Sequence, residues 1–304
     1  MRATVTGATG MIGRALVREL VSRGDEVTAL TRDPAKAASV LGTDVEARAW
    51  RAPKEEPPPP DALRGRDAVI HLLGEPLDQR WTDAARREMR DSRVFPTRYL
   101  VAVLAELPEG ERPGVLVSQS ASGYYGPRGD ERLTEDQPAG SDWLAGVARE
   151  WESEALRANE HDVRTVVTRT GIVLSREGGA VARMLPFFKL GVGGPVAGGR
   201  QWVSWVHRDD VVGALIHCAT SDLSGPVNVT AEPVTNRELS RALGRALRRP
   251  AVLPVPALAL KVLYGEMSSI VTTGQRLAPA RLLETGYVFR RPELDDALRA
   301  ATRG

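Results

Sequence analysis

The 304-residue chain contains little cysteine and carries almost no net charge. Its single cysteine, Cys218, cannot form a disulfide within the chain, which argues against a disulfide-stabilised secreted domain. The 41 basic and 39 acidic residues leave a formal net charge of +2. The chain therefore lacks the basic excess typical of nucleic-acid-binding proteins, and we expect no nucleic-acid partner.

Long hydrophobic runs are also missing. The longest apolar stretch, VLPVPALAL, is interrupted by Pro254 and Pro256 and is too short to span a bilayer. No segment resembling a signal peptide comes before the first expected strand. We therefore expect a cytoplasmic protein without a membrane partner.

Metal-ligand spacing is absent as well. None of the four histidines lies at a spacing typical of a metal site, so we predict no metal. His207 is expected to end a strand, and Asp209 or Asp210 to cap the helix that follows. Cys218 lies in an apolar helical pattern and is interpreted as a small buried residue.

What the sequence does contain is a regular alternation of strand and helix patterns. This alternation predicts an α/β fold, a Rossmann doubly wound parallel sheet with a smaller C-terminal substrate lobe. We expect an NADP-binding Rossmann domain at 1–175, with 203–230 returning to it, and a smaller mixed α/β lobe at 176–304. The predicted strands are 2–6, 26–32, 44–50, 67–74, 114–121 and 163–174, and the predicted helices include 11–23, 81–106 and 144–158.

Three glycines lie between the first strand and the first helix, in the segment VTGATGMIG. Gly7 permits a tight turn, Gly10 lets the backbone approach a phosphate, and Gly13 lets the helix pack closely. The amino end of a helix presents free N–H groups and a positive dipole end, which suit a pyrophosphate. The predicted cofactor contacts in this turn are Gly7, Thr9, Gly10, Met11, Ile12 and Gly13.

The end of the second strand discriminates between the two nicotinamide cofactors. An NAD site usually places Asp or Glu there, on the ribose 2′-hydroxyl. Here Thr31 and Arg32 occupy that place, and Asp33 is interpreted as a helix cap before Pro34. A guanidinium can bind a 2′-phosphate through charge-assisted hydrogen bonds, so we predict NADP rather than NAD.

Several segments in order along the chain resemble one family. TGATGMIG, HLLGEPLDQRW, SASGYYGPRGDERLTED, RTGIVLSREGGA and GRQWVSWVHRDD resemble the atypical extended short-chain dehydrogenase/reductases called "epimerase family protein". These are akin to nucleoside-diphosphate-sugar epimerases, and the resemblance implies a nicotinamide cofactor. It also implies that Leu72, Leu73 and Gly74 pass near the cofactor, and that Arg169, Thr170, Gly171 and Ile172 line the nicotinamide pocket.

The chain departs from the wider superfamily at its acid–base pair. Typical members carry Tyr-x-x-x-Lys, in which the Tyr transfers a proton and the Lys lowers its pKa. Here Trp143 or Leu144 occupies the Tyr place, and Val147 or Ala148 the Lys place. The candidate replacements are hydroxyls after the fifth strand. They are Ser120, Ser122 and Tyr124.

A second departure concerns the substrate. Related sugar-nucleotide epimerases carry an Arg that holds the diphosphate, and this chain has Val203 at that position, with Arg200 nearby. The residues leave two hypotheses open. The chain is either an NADP-dependent oxidoreductase or epimerase of a small carbonyl or hydroxyl compound, or a non-catalytic NADP-binding sensor or interaction protein. A homodimer is possible in this group.

Overall fold

The computed structural model describes residues 1–302, which form a central parallel sheet, helices on both of its faces and a smaller C-terminal lobe. The strands are β1 (Arg2–Thr6), β2 (Glu26–Thr31), β3 (Val45–Ala49), β4 (Ala68–His71), β5 (Val115–Ala121), β6 (Arg132–Leu133), β7 (Arg164–Thr170), β8 (Ile172–Leu174), β9 (Trp202–Val203), β10 (Trp205–His207), β11 (Gly225–Val229), β12 (Val234–Thr235) and β13 (Arg276–Leu277). The helices are α1 (Met11–Ser22), α2 (Pro34–Leu41), α3 (Asp83–Glu106), α4 (Trp143–Leu156), α5 (Gly179–Lys189), α6 (Arg208–Thr220), α7 (Asn236–Leu247), α8 (Ala257–Tyr264), α9 (Ser269–Thr272), α10 (Ala280–Glu284) and α11 (Leu294–Thr302).

Seven strands form the central sheet in the order β11-β7-β5-β4-β1-β2-β3, and every neighbouring pair is parallel. This order confirms the predicted Rossmann-like α/β class. The order reverses at β1, whose neighbours are β2 and β4. Ligands of open parallel sheets bind at the carboxyl edge beside such a reversal.

The hydrophobic core has three main parts. One face of the sheet packs against α1 and α6, through Leu16, Leu20 and Leu215. The opposite face packs against α3, with Leu100 and Leu104 fully buried. A third cluster holds the smaller lobe together and joins β8 and β10 to α7 and α11. No helix within residues 1–302 has both the length and the apolar character to cross a membrane.

The predicted strand 163–174 is wrong as a single element. The chain leaves the central sheet at Gly171, whose N–H donates to the Val229 carbonyl, and Ile172 then pairs with the segment at Ser204. A Cβ at Gly171 would lie 2.5 Å from the Ser204 carbonyl oxygen. The strand breaks because two backbones meet there more closely than a side chain permits.

The cap predicted for α6 is also wrong. His207 occupies the cap position, and its Nδ1 accepts a hydrogen bond from the Asp209 N–H at 3.2 Å. Asp210 is instead fully buried and accepts from the N–H groups of Arg290 and Arg291. Burial raises the pKa of the Asp210 carboxyl, and these two hydrogen bonds oppose that effect. Asp210 therefore attaches the C-terminal segment to α6.

Candidate active site

The turn between β1 and α1 is shaped by close backbone contacts. Gly7 has a φ of 65°, and a Cβ there would lie 2.8 Å from the Leu72 carbonyl oxygen. A Cβ on Gly13 would lie 2.2 Å from the Gly7 carbonyl oxygen, well inside van der Waals contact. Gly10 donates its N–H to the same carbonyl at 3.0 Å. Glycine is therefore required at position 7 by packing and φ, and at position 13 by packing.

The same turn leaves the amino end of α1 open. Gly10 is the cap residue, no side chain caps the helix, and its first turn contains no acidic residue. The first N–H groups of a helix have no partner within the helix, so they are available to an anion. Thr9, Met11 and Ile12 lie in this turn, whose uncapped N–H groups and lack of acidic residues suit an anion.

The end of β2 places a cation beside this turn. Arg32 is exposed, and within residues 1–302 no hydrogen bond or ion pair joins it to another residue. The Asp33 carboxylate accepts from the Lys36 N–H at 3.1 Å and caps α2, as the sequence predicted. Thr31 Oγ accepts from the Asp33 N–H at 3.3 Å. The Asp33 carboxylate therefore serves as the cap of α2, whereas the guanidinium of Arg32 remains available to a ligand.

A buried histidine supports the end of β4. Thr97 Oγ donates to the Arg93 carbonyl, so it accepts from His71 Nε2 at 3.0 Å. Thr6 Oγ then donates to His71 Nδ1 at 2.8 Å and accepts from the Leu72 N–H. Burial lowers the pKa of His71 to about 3, so the imidazole is neutral. This network ends β4 at His71, earlier than the predicted 67–74, and turns Leu72, Leu73 and Gly74 along the carboxyl edge.

Beneath the 3₁₀ turn Ser122–Tyr125, which follows β5, lies a buried ion pair. Arg169 Nε and Nη2 each donate to the Glu152 carboxylate at 2.9 Å, and both side chains are almost completely buried. Ser120 Oγ donates to the same carboxylate at 2.6 Å. Arg169 Nη1 donates to the Tyr125 hydroxyl and to the Glu135 carbonyl. Burial opposes the charge of Arg169, but Glu152 outweighs it and raises the pKa of the guanidinium.

The candidate hydroxyls therefore occupy different environments. Ser120 is buried and bonded to Glu152, whereas Ser122 and Tyr124 are half-buried and their side-chain hydroxyls make no hydrogen bond to any residue in the range 1–302. The Arg169 guanidinium carbon lies 3.4 Å from the centroid of the Tyr124 ring. Tyr125 packs in the core, where burial raises the pKa of its phenol to about 12 against the opposing effect of Arg169.

Sequence reasoning did not identify Glu152 as part of this site. Its signal was present: Ala148, Glu152 and Ala155 share one helix face, and all three are buried. An acidic residue on the apolar face of a helix indicates a buried partner. Arg169 was predicted to line the cofactor pocket. In the structure its guanidinium is buried and donates to Glu152, Tyr125 and Glu135. Thr170, Gly171 and Ile172 follow it at the corner between β7 and β8.

Two tryptophans complete the carboxyl edge. Trp81 lies in the loop after β4 and Trp143 in the first turn of α4, and their ring centroids are 5.1 Å apart. Salt bridges link this edge to the smaller lobe: Arg183 pairs with Asp78 at 2.8 Å, and Arg86 pairs with Glu266. These salt bridges join the loop after β4 and the start of α3 to the smaller lobe at this edge.

Two further groups bear on chemistry. Cys218 is buried, as predicted, and burial raises the pKa of its thiol to about 12, so it is not a nucleophile. Among residues 1–302, no three His, Cys, Asp or Glu side chains lie close enough together to hold a metal ion.

Family models match two parts of the chain. The model described as "NAD dependent epimerase/dehydratase family" matches residues 3–230, which include the whole central sheet. A model described as "Domain of unknown function (DUF1731)" matches residues 255–301 in the smaller lobe.

Similar proteins cover almost the whole chain. Epimerase family protein SDR39U1 homolog, chloroplastic, from Arabidopsis thaliana is 41% identical, over 99% of this chain and 86% of that protein. Epimerase family protein SDR39U1 from Homo sapiens is 35% identical, over 98% of this chain and 99% of that protein.

Solved structures share the fold. The crystal structure of human epimerase family protein SDR39U1 (isoform2) with NADPH superposes with a TM-score of 0.88 and 33% identity, over 99% of both chains. UDP-glucuronic acid 4-epimerase from Bacillus cereus, in complex with UDP-glucuronic acid and NAD, has a TM-score of 0.79 at 16% identity, over 99% and 98% of the two chains. At that identity, the second likeness shows only the fold.

Proposed function

The chain belongs to the NAD dependent epimerase/dehydratase family, and on this premise we propose that it is an NADP-dependent oxidoreductase or epimerase of a small carbonyl or hydroxyl compound. The observation that carries the proposal is the open amino end of α1 beside the unpaired guanidinium of Arg32. The human relative, crystallised with NADPH, supports the choice of cofactor.

The proposed cofactor contacts follow the carboxyl edge of the sheet. The α1 turn holds the pyrophosphate, and Arg32 with Thr31 holds the 2′-phosphate. The backbone of Leu72, Leu73 and Gly74 passes along the adenosine side or the pyrophosphate. The corner from Arg169 to Ile172 borders the nicotinamide. When bound, NADPH supplies a hydride for transfer to a carbonyl carbon.

Side chains after β5 handle the proton and the substrate oxygen. We propose that Tyr124 donates a proton to that oxygen, and that Ser122 donates a hydrogen bond to it. The guanidinium of Arg169 supports the Tyr124 ring from below. Of the three candidate hydroxyls, the geometry favours Ser122 and Tyr124, because Ser120 is buried and already donates to Glu152.

A second candidate function rests on the missing acid–base pair. Val147 and Ala148, at the place of the superfamily's Lys, are both buried. No lysine of α4 can therefore act on Tyr124, since the helix contains none. This observation favours either slow turnover or a non-catalytic NADP-binding sensor or interaction protein. The expected homodimer stays a prediction. So does the cytoplasmic location, since the Arabidopsis relative is named chloroplastic.

Cofactor titrations test the first part of the proposal. We expect NADPH to bind more tightly than NADH. The substitution Arg32→Ala should weaken the binding of NADPH by about tenfold and leave the affinity for NADH unchanged, because it removes a charge-assisted contact to the 2′-phosphate. Protein fluorescence or calorimetry measures both affinities. Equal affinities for the two nucleotides in the unsubstituted protein would rule out the role of Arg32.

NADPH oxidation with a panel of carbonyl compounds tests the second part. We expect Tyr124→Phe to lower kcat by about 100-fold, because the substitution removes a general acid, and Ser122→Ala to lower it less. Ser120→Ala serves as the comparison within the same segment, and Tyr99→Phe on α3 as the control tyrosine. Unchanged kcat in the Tyr124 and Ser122 variants would refute the assigned roles. Tight NADPH binding without turnover on any carbonyl compound would favour the sensor.

A further inference from the structure

The carboxyl edge of the sheet carries an aromatic pair that the proposed cofactor site does not use. Trp81 follows β4 and Trp143 begins α4, which follows β5, and these two strands are neighbours in the sheet. Their ring centroids are 5.1 Å apart with planes inclined at 56°, and both rings are half-buried. The Arg86 guanidinium carbon lies 5.3 Å from the centroid of the Trp143 ring, and each ring keeps part of its remaining surface in contact with solvent at this edge.

This pair lies beside the candidate hydroxyls. A Cβ on Gly123 would lie 3.5 Å from Leu144 Cβ, so the first turn of α4 packs against the 3₁₀ turn that carries Ser122 and Tyr124. Trp143 adjoins Leu144 at the start of α4, where the wider superfamily places its Tyr. Trp143 or Leu144 thus stands in place of a proton-donating phenol, close to the expected position of the reacting carbonyl.

The cations at this edge are mostly neutralised or bound within the fold. Arg86 is paired with Glu266, and Arg183 with Asp78. Arg93 donates to the backbone carbonyls of Met89 and Glu75. Burial lowers the pKa of the Arg93 guanidinium to about 10, so the group stays charged at neutral pH, but its Nη1 and Nη2 already donate to these two carbonyls.

The position that holds a diphosphate in sugar-nucleotide epimerases is likewise apolar. Val203 is buried and pairs with Val234 between β9 and β12. Arg80 and Arg200 are exposed and have no ion pair within residues 1–302, but they lie on separate segments. A diphosphate is bound strongly where several donors converge on it, and these two arginines are not joined to such a set.

We propose that the substrate is an uncharged, planar aromatic or conjugated carbonyl compound whose ring packs against Trp81 and Trp143, rather than a nucleotide sugar. This inference rests on the proposed function and specifies its substrate class. Offset or edge contacts between aromatic rings favour flat π-systems over saturated rings of the same size.

The reaction balances with the cofactor already proposed. A carbonyl compound, NADPH and one proton give the alcohol and NADP⁺. The carbonyl carbon gains the hydride and is reduced, while the C=O π pair moves to the oxygen. That oxygen takes the proton of the Tyr124 hydroxyl, and solvent reprotonates the phenolate.

Binding to the protein saturated with NADP⁺ tests the proposal without turnover. The probes are 2-acetonaphthone, its saturated decalin counterpart and UDP-glucose, measured by calorimetry. We expect the flat ketone to bind about tenfold more tightly than the decalin ketone, because only the flat ring system makes aromatic contacts. UDP-glucose should bind more weakly than the flat ketone.

Matched tryptophan variants locate the contact. Trp143→Leu and Trp81→Leu should each weaken the binding of 2-acetonaphthone by about tenfold. Trp202→Leu on β9 should change the affinity for this ketone by less than about twofold. An unchanged NADPH affinity shows that each variant is folded. If Trp143→Leu does not fold, Trp81→Leu and Trp143→Phe test the aromatic contact instead, and Trp143→Phe should retain part of the affinity for 2-acetonaphthone.

Three results would overturn the inference. Tighter binding of UDP-glucose than of 2-acetonaphthone would overturn it, and so would equal affinity for the flat and saturated ketones. Unchanged affinity in both the Trp81 and Trp143 variants would do the same. In each case NADPH binding would leave the proposed function standing. Absence of NADPH binding would instead refute the proposed function, and the inference with it.

Discussion

The turns after β1 and β5 lie at the same edge of the sheet but are held in different ways. The β1 turn is held by backbone packing, since a Cβ on Gly13 would overlap the Gly7 carbonyl. The β5 turn is held by buried charge, since Arg169 and Glu152 support it from below. The first turn is therefore sensitive to added volume, and the second to lost charge pairing.

The largest expected effect is on the charge-supported turn. Arg169→Met would leave the Glu152 carboxylate buried without its partner, which costs about 3–5 kcal/mol of unfolding free energy. Urea unfolding measures the loss. Adding Glu152→Gln removes the unpaired charge and should recover part of the stability. A double variant no more stable than Arg169→Met would show that the unpaired charge is not the cause.

A smaller but still large effect is expected on the backbone-packed turn. Gly13→Ala should weaken NADPH binding by about 100-fold, because the added methyl displaces the Gly7 carbonyl and the amides of α1 with it. Gly146→Ala on α4 is the matched control, since a Cβ there meets nothing within 4 Å. The control should bind NADPH normally. Normal binding by Gly13→Ala would refute the close-packing argument.

The effect that is smallest at neutral pH and grows only in acid concerns His71, which connects β1 to α3 beneath this edge. Its pKa is lowered to about 3 from 6.5 by burial, so the native state resists protonation and the unfolded state does not. Stability from this residue is present above pH 6.5 and is lost as the pH falls toward 3. The loss is about 1.4 kcal/mol per pH unit at its steepest.

Comparison with His71→Gln isolates this contribution. The amide keeps a donor and an acceptor but does not titrate, so the unfolding free energy of the variant should decline less between pH 6.5 and pH 4. Urea unfolding at several pH values measures both curves. Parallel curves for the two proteins would show that His71 does not contribute to acid sensitivity.

The central strands and the glycine turn could be predicted from the sequence because both depend on local patterns. The predicted strands 2–6 and 114–121 differ from β1 and β5 by at most one residue at either end. The glycine spacing predicted that another group approaches this turn closely, but it did not predict that the group is Leu72. The contacting residue, Leu72, follows β4 and is 65 positions from Gly7, so no local pattern encodes it.

The roles of side chains after β5 could not be predicted in the same way. Ser120, Ser122 and Tyr124 were equivalent candidates in the sequence, and burial separates them. Glu152 was missed because its partner, Arg169, is 17 positions away on a different element. Trp81 and Trp143 meet only because their strands are adjacent in the sheet.

The sequence by itself determined the α/β class, the glycine turn and the absence of the Tyr-x-x-x-Lys pair, because each depends on residues that are close together in the sequence. The tertiary structure alone decided which hydroxyls remain available, where the buried ion pair lies, and that two tryptophans meet at the carboxyl edge. Those features depend on which strands pair and which groups lose contact with water. Both follow from long-range packing of the whole chain rather than from local preference.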